Sequence, residues 1–68
     1  MKKDVIQVEG MTCNHCKAAV EGTLNNLDGV KGAEVNLDAK NVTVDYDENV
    51  VTVDKMKEEI EDQGYDVV

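Results

Sequence analysis

The sequence predicts an α+β fold of the ferredoxin-like βαββαβ type, with a four-stranded antiparallel sheet and two helices on one of its faces. Two observations predict this fold. The first is periodicity: two segments repeat apolar residues at helical spacing, and four segments alternate apolar with polar residues. The second is the order of these segments, which is strand, helix, strand, strand, helix, strand. A chain of 68 residues has room for one small core, so residues 1–68 are interpreted as a single domain.

Alternation in the first half of the chain predicts a strand over residues 5–9. A loop with both cysteines follows it. Apolar residues then recur at spacings of four, four and three from Cys16, which predicts a helix over residues 15–27. Asn14 is expected to cap this helix because its short side chain can accept a hydrogen bond from the first turn. Gly29 is expected to end it.

The second half begins with a predicted hairpin, since residues 33–37 and 42–46 both alternate and a polar turn separates them. Thr52 is expected to cap a second helix that ends near residue 62. The last four residues, 65–68, predict a short closing strand. The layer between helices and sheet is predicted to contain Leu24, Leu27, Met56 and Ile60.

The net charge of −8 argues against binding to nucleic acid or to a membrane surface, because both need clustered basic residues and the chain has seven lysines and no arginine. The N-terminus alternates apolar and polar residues, unlike a signal peptide, and no apolar run has the length of a membrane span. We therefore expect a cytoplasmic protein that is monomeric without metal. Thiols in that compartment are mostly reduced.

Charged residues on the outer faces of the helices, including Glu21, are interpreted as a solvated surface. Lys17 is treated separately because it follows the cysteine segment directly. We expect Lys17 to contribute to docking of a partner.

The segment MTCNHC, residues 11–16, carries the chemistry of the chain. Cys13 lies in the loop after the first strand and Cys16 in the first turn of the helix, so both sulfur atoms can point into one space. A helix N-terminus favours thiolate over thiol, and thiolates are both nucleophiles and metal ligands. A CxxC pair alone fits a redox role and a metal role equally well. The predicted topology favours metal, because a thioredoxin-like fold needs a longer chain.

The number of ligands narrows the choice of metal. A closed zinc site takes four ligands, and this chain offers two cysteines and His15. An iron–sulfur cluster lacks ligands for the same reason. Two soft thiolates suit Cu(I) instead.

The segment GMTCNHC, residues 10–16, resembles the GMxCxxC motif of heavy-metal-associated domains, and the resemblance extends through LDGV, VNL and EDQGYDV to residue 67. It implies that Cys13 and Cys16 bind Cu(I). It also implies that Met11 packs beneath the metal loop without ligating and that Tyr65 lies close to the loop. His15 lies between the two cysteines, where residues vary in this family and commonly face solvent, so ligation by His15 within a monomer is not expected. At a copper-bridged dimer contact it stays an open candidate for a third ligand.

The resemblance implies a copper chaperone and not an enzyme. Its partners would be the metal-binding domains of copper-transporting P-type ATPases, with a copper-sensing repressor as a second candidate. A copper-bridged homodimer is a further prediction from the open site. Two alternatives stay open: a carrier of another soft ion such as Hg(II), Zn(II) or Cd(II), and a thiol-disulfide oxidoreductase.

Overall fold

The computed structural model describes residues 2–68, and its elements follow the predicted order. They are β1 (Lys2–Glu9), α1 (Asn14–Asn25), β2 (Val30–Asn36), β3 (Asn41–Tyr46), α2 (Val53–Asp62) and β4 (Asp66–Val67). The four strands form one sheet in the order β2-β3-β1-β4, and every neighbouring pair is antiparallel. The predicted ferredoxin-like fold is confirmed.

Strand β1 begins three residues earlier than the alternation predicts. Its ladder with β3 runs from the Lys2↔Tyr46 pair to the Gln7↔Asn41 pair, so pairing and not hydrophobic pattern sets its start. Within this added stretch the Tyr46 hydroxyl donates a 2.6 Å hydrogen bond to Oδ2 of Asp4. This bond raises the pKa of Tyr46 to about 12 and gives a buried phenol its polar partner.

Strand β2 also begins earlier than predicted, at Val30 in place of residue 33. Its register with β3 shifts between Val30 and Gly32, which is a β-bulge. A bulge interrupts the period of two on which the sequence prediction depends. Leu37 lies just beyond the end of the strand and packs half-buried against the core.

The core between helices and sheet is aliphatic, with one tyrosine and two methionines. Leu24, Met56 and Ile60 have no measurable exposure, as predicted for the layer between helices and sheet. Leu27 is half-buried and lies in the turn after α1, where it packs against the same cluster. The buried apolar residues are Ile6, Val8, Met11, Val20, Leu24, Val35, Val42, Val44, Tyr46, Val51, Met56 and Ile60.

The prediction that Gly29 ends the first helix is wrong, because α1 ends at Asn25 and Asn26 is its C-cap. Gly29 instead shapes the turn into β2. Its φ of +93° favours glycine, and a Cβ there would lie 2.8 Å from the side chain of Val50. Across residues 2–68, neither helix has the length and apolar character that a membrane span requires.

Candidate metal centre

The two cysteines occupy the N-cap and third positions of α1. Cys13 is the N-cap, with extended backbone angles, and its carbonyl accepts the first intrahelical hydrogen bond, from the amide of Lys17 at 3.1 Å. Side chains at the N-cap and third helical positions approach each other, as in a capping box. The two Sγ atoms accordingly lie 3.7 Å apart as free thiols. Asn14 is the first helical residue, so the prediction that it caps the helix is wrong.

The first turn of α1 is open toward the thiols. No side-chain hydrogen bond caps it, and it contains no acidic residue. The first amides of a helix lack intrahelical partners and form the positive end of its dipole. This end of α1 therefore presents donors and partial positive charge to an anionic sulfur.

Local hydrogen bonding lowers the pKa of Cys16 to about 7. The largest cause is the hydroxyl of Tyr65, followed by a backbone hydrogen bond from Thr12 and by the neighbouring thiol of Cys13. The same interaction raises the pKa of Tyr65. Near neutral pH a large fraction of Cys16 is therefore thiolate, which is the form that binds metals.

Met11 and Tyr65 are the two residues outside the thiol pair that are predicted to support the loop. Met11 is 5% exposed and belongs to the hydrophobic core, which agrees with the prediction of a packing and not a ligating role. Tyr65 is half-buried, and a Cβ added at Gly10 would lie 3.7 Å from Cδ1 of its ring. Gly10 has a φ of +93°, which allows the chain to turn sharply out of β1. The sequence could not predict that the backbone of Thr12 lowers the pKa of Cys16, because a backbone hydrogen bond does not depend on the residue type.

His15 is the second residue of α1 and is exposed. Among residues 2–68, its ring nitrogens do not come within 4.8 Å of both sulfur atoms to form a three-donor cluster. The group of three donors that does meet this distance is Glu58, Glu59 and Asp62 on α2. These are carboxylate oxygens, which are hard ligands, whereas the thiols are soft ligands.

The prediction that Glu21 is a solvated surface charge is wrong. Its carboxylate is half-buried, and Oε2 accepts a 2.8 Å hydrogen bond from the amide of Val35 in β2. No sequence pattern indicates this contact, because the two residues are 14 positions apart and belong to different elements.

Lys17 lies half-buried at the start of α1, beside an open groove of about 370 Å³ between the helix and the end of β2. Within residues 2–68, its ammonium has no carboxylate within 4.0 Å, unlike the ammonium groups of Lys2, Lys3 and Lys55. The expected role of Lys17 in docking stays a prediction.

A small βαββαβ domain with two adjacent thiols at an open helix start defines a class of protein that binds soft metal ions. The chain belongs to the heavy-metal-associated domain family, whose model matches residues 5–66.

The relatives support this assignment across the full chain. A copper chaperone CopZ of Staphylococcus aureus strain MRSA252 is 59% identical over 68 residues, covering 100% of both chains. A solved structure of a CopZ metallochaperone superposes with a TM-score of 0.97 at 57% identity, covering 98% of this chain and 100% of that one. The N-terminal domain of a potential copper-translocating P-type ATPase from Bacillus subtilis, solved in its Cu(I)-loaded state, gives a TM-score of 0.91 at 37% identity, over 96% and 81%.

Proposed function

We propose that this protein is a copper chaperone that holds Cu(I) between the Sγ atoms of Cys13 and Cys16. The observation that carries this proposal is the pair of free thiols 3.7 Å apart at the uncapped start of α1. The names of the CopZ relatives agree with it.

The choice of Cu(I) follows from the donors. Two thiolates form a soft, low-coordinate site, which suits Cu(I) better than zinc with its preference for four ligands. His15 is exposed and forms no group of three close donors with the two sulfur atoms, so the monomer binds Cu(I) through sulfur alone. Met11 and Tyr65 support the loop and leave the coordination to the cysteines.

Copper leaves the site by ligand exchange. A thiolate of the partner adds to the bound Cu(I), a three-sulfur intermediate forms, and one thiolate of the chaperone leaves and takes up a proton. A second partner thiolate then displaces the remaining chaperone thiolate in the same way, and the copper leaves the site. The metal keeps its oxidation state throughout, so no reductant is consumed. The exposure of Cys13 gives the incoming sulfur its access.

The acceptors we propose are metal-binding domains of copper-transporting P-type ATPases. This proposal is supported by the structural similarity of the chain to such a domain. Copper would then pass between two sites of similar structure. A copper-sensing repressor is a second proposed recipient. Two chains that share one Cu(I) would form the copper-bridged homodimer, because the open site accepts further sulfur ligands.

Anaerobic titration of the reduced protein with Cu(I) against a calibrated Cu(I) chelator tests the proposal. The wild type should outcompete the chelator, and Cys13→Ser and Cys16→Ser should each lose more than the roughly 10–100-fold that removal of an outer partner of a metal ligand costs. Serine is a good N-cap, so Cys13→Ser is expected to keep α1 folded. Tight binding by either variant, or failure of the wild type, contradicts a two-thiolate copper site.

The pKa of about 7 at Cys16 also favours a thiol-disulfide oxidoreductase, since reactive redox cysteines share this property. Insulin reduction by the metal-free protein tests this second candidate. Turnover that depends on both cysteines would support it.

Competition by Hg(II), Zn(II) and Cd(II) in the copper titration tests the alternative that the protein carries another metal ion, and Cu(I) should be preferred over Zn(II).

A further inference from the structure

The carboxylate of Glu21 lies against the exposed edge of the sheet. Strand β2 pairs with β3 on one side and, among residues 2–68, with no strand on the other. The amide of Val35 donates to Oε2 of Glu21 at 2.8 Å, so it points away from β3 and toward this edge. Unpaired amides on an edge strand are a template for pairing with another chain. Glu21 occupies such an amide from the neighbouring helix.

We propose that Glu21 prevents the edge of β2 from pairing with a second copy of this chain. A carboxylate that accepts a backbone amide forms a charge-assisted hydrogen bond, which is stronger than the neutral bond an approaching strand offers. The half-burial of Glu21 holds this acceptor in place. Removal of the carboxylate would free the amide of Val35 for an intermolecular bond.

The second copy is favoured as the occupant because one antiparallel register suits the side chains of β2. A two-fold pairing centred on Val35 would join the two Val35 residues through reciprocal backbone hydrogen bonds. It would place Glu34 opposite Asn36 of the other copy, without like charges facing each other. The registers shifted by one step place Glu34 opposite Glu34 or Asp38, where two carboxylates repel.

The test uses reduced, metal-free protein, so its result is independent of the copper proposal. In Glu21→Ala, amide exchange at Val35 in dilute solution should be at least about tenfold faster than in the wild type, because the bond to a charged acceptor is lost. At high concentration the same variant should sediment as a dimer. Glu21→Gln keeps an acceptor within the chain but only a neutral one, so its Val35 amide should exchange more slowly than in Glu21→Ala and it should dimerise less than that variant.

Two further variants make the test specific. Glu58→Ala removes one negative charge from an exposed position on α2, so it matches the change in net charge and should stay monomeric. Asn36→Asp keeps the oxygen that accepts the amide of Ala39 at 3.0 Å but sets a carboxylate opposite Glu34 of the second copy. Added to Glu21→Ala, it should return the dimer to monomer.

A Glu21→Ala protein that stays monomeric at high concentration, or whose Val35 amide exchanges at the wild-type rate, would overturn the proposal. A dimer that persists after Asn36→Asp is added would overturn the pairing through β2.

Discussion

The two helices of this protein begin in opposite ways. Helix α2 is closed by its own chain: Oγ1 of Thr52 accepts the amide of Lys55 at 3.1 Å, and Asp54 lies in the first turn. Helix α1 has Cys13 at the equivalent position, no side-chain hydrogen bond and no acidic residue in its first turn. Both helices pack apolar residues against one core, so the difference is confined to their first turns.

The comparison shows that a capped helix start stabilises the fold, whereas an uncapped start leaves its amide donors free to act on a bound group. In α2 a hydroxyl and a carboxylate neutralise the positive end of the dipole, which stabilises the fold. In α1 the same donors stay available to thiolates and, in our proposal, to a copper site. The protein thus omits a stabilising cap where it places its chemistry.

Replacement of Thr52 should give the largest change in stability. Thr52→Ala removes the acceptor of the Lys55 amide and should lower the free energy of unfolding by about 1 kcal/mol. For a domain of this size that corresponds to a Tm lower by roughly 4–8 °C, measured by circular dichroism. Cu(I) affinity should not change, because the cap lies on the other helix.

Thr52→Ser is the matched control, since it keeps the hydroxyl acceptor and should retain most of the stability. A loss of Cu(I) affinity in Thr52→Ala beyond a factor of about two would show that the two helix starts are coupled, against the separation described above.

Replacement of Tyr65 should change the thiols more than the fold. Tyr65→Phe removes the hydroxyl that contributes most to the low pKa of Cys16, so that pKa should rise from about 7 toward its ordinary value. The pH dependence of alkylation by iodoacetamide, followed by mass spectrometry, measures the shift. An alkylation profile unchanged in pH would show that the helix start alone holds the thiolate.

The same variant should alter the dependence of stability on pH. A pKa of about 7 in the folded protein and about 8.5 in the unfolded chain means that the thiolate of Cys16 contributes stability above about pH 8.5, and this contribution is lost as the pH falls through about 7. The free energy of unfolding should therefore rise with pH across this window. The rise should be smaller in Tyr65→Phe, measured by urea denaturation at several pH values.

The smallest effect is expected from giving α1 an acidic first turn like that of α2. Asn14→Asp is nearly isosteric and should stabilise the metal-free protein by about 0.3–1 kcal/mol through the helix dipole. The new carboxylate also opposes thiolate formation, so the pKa of Cys16 should rise and Cu(I) affinity should fall slightly. Urea denaturation measures the stability and chelator competition measures the Cu(I) affinity. A variant that gained both would contradict the expectation that stability at this helix start is gained at the cost of Cu(I) affinity.

The element order and the position of the cysteines followed from local periodicity, and the antiparallel sheet with two helices followed from that order of elements, which is typical of the ferredoxin-like arrangement. The N-cap of α1 did not. Cysteine is not a usual capping residue, so propensity pointed to Asn14, although the Cys13–Cys16 spacing is that of an N-cap and a third helical residue.

The other errors concern contacts between distant segments. Lys2 and Lys3 extend β1 through pairing with β3, and the bulge near Gly32 hides the start of β2 from any period of two. Glu21 looks like an ordinary surface glutamate until the fold brings β2 beside α1. Such side-chain partners are set by tertiary structure and leave no local pattern.

The two tyrosines make the molecule its own optical probe. The chain has no tryptophan, Tyr46 lies in the core at the Lys2 end of β1, and Tyr65 lies at the Gly10 end, so the length of a strand separates them. The hydroxyl of Tyr65 interacts with the sulfur of Cys16, and that of Tyr46 is bonded to Asp4. In Tyr46→Phe the remaining ultraviolet absorbance and emission come from Tyr65 and should report events at the thiols. In Tyr65→Phe they come from Tyr46 and should report unfolding, without any attached dye.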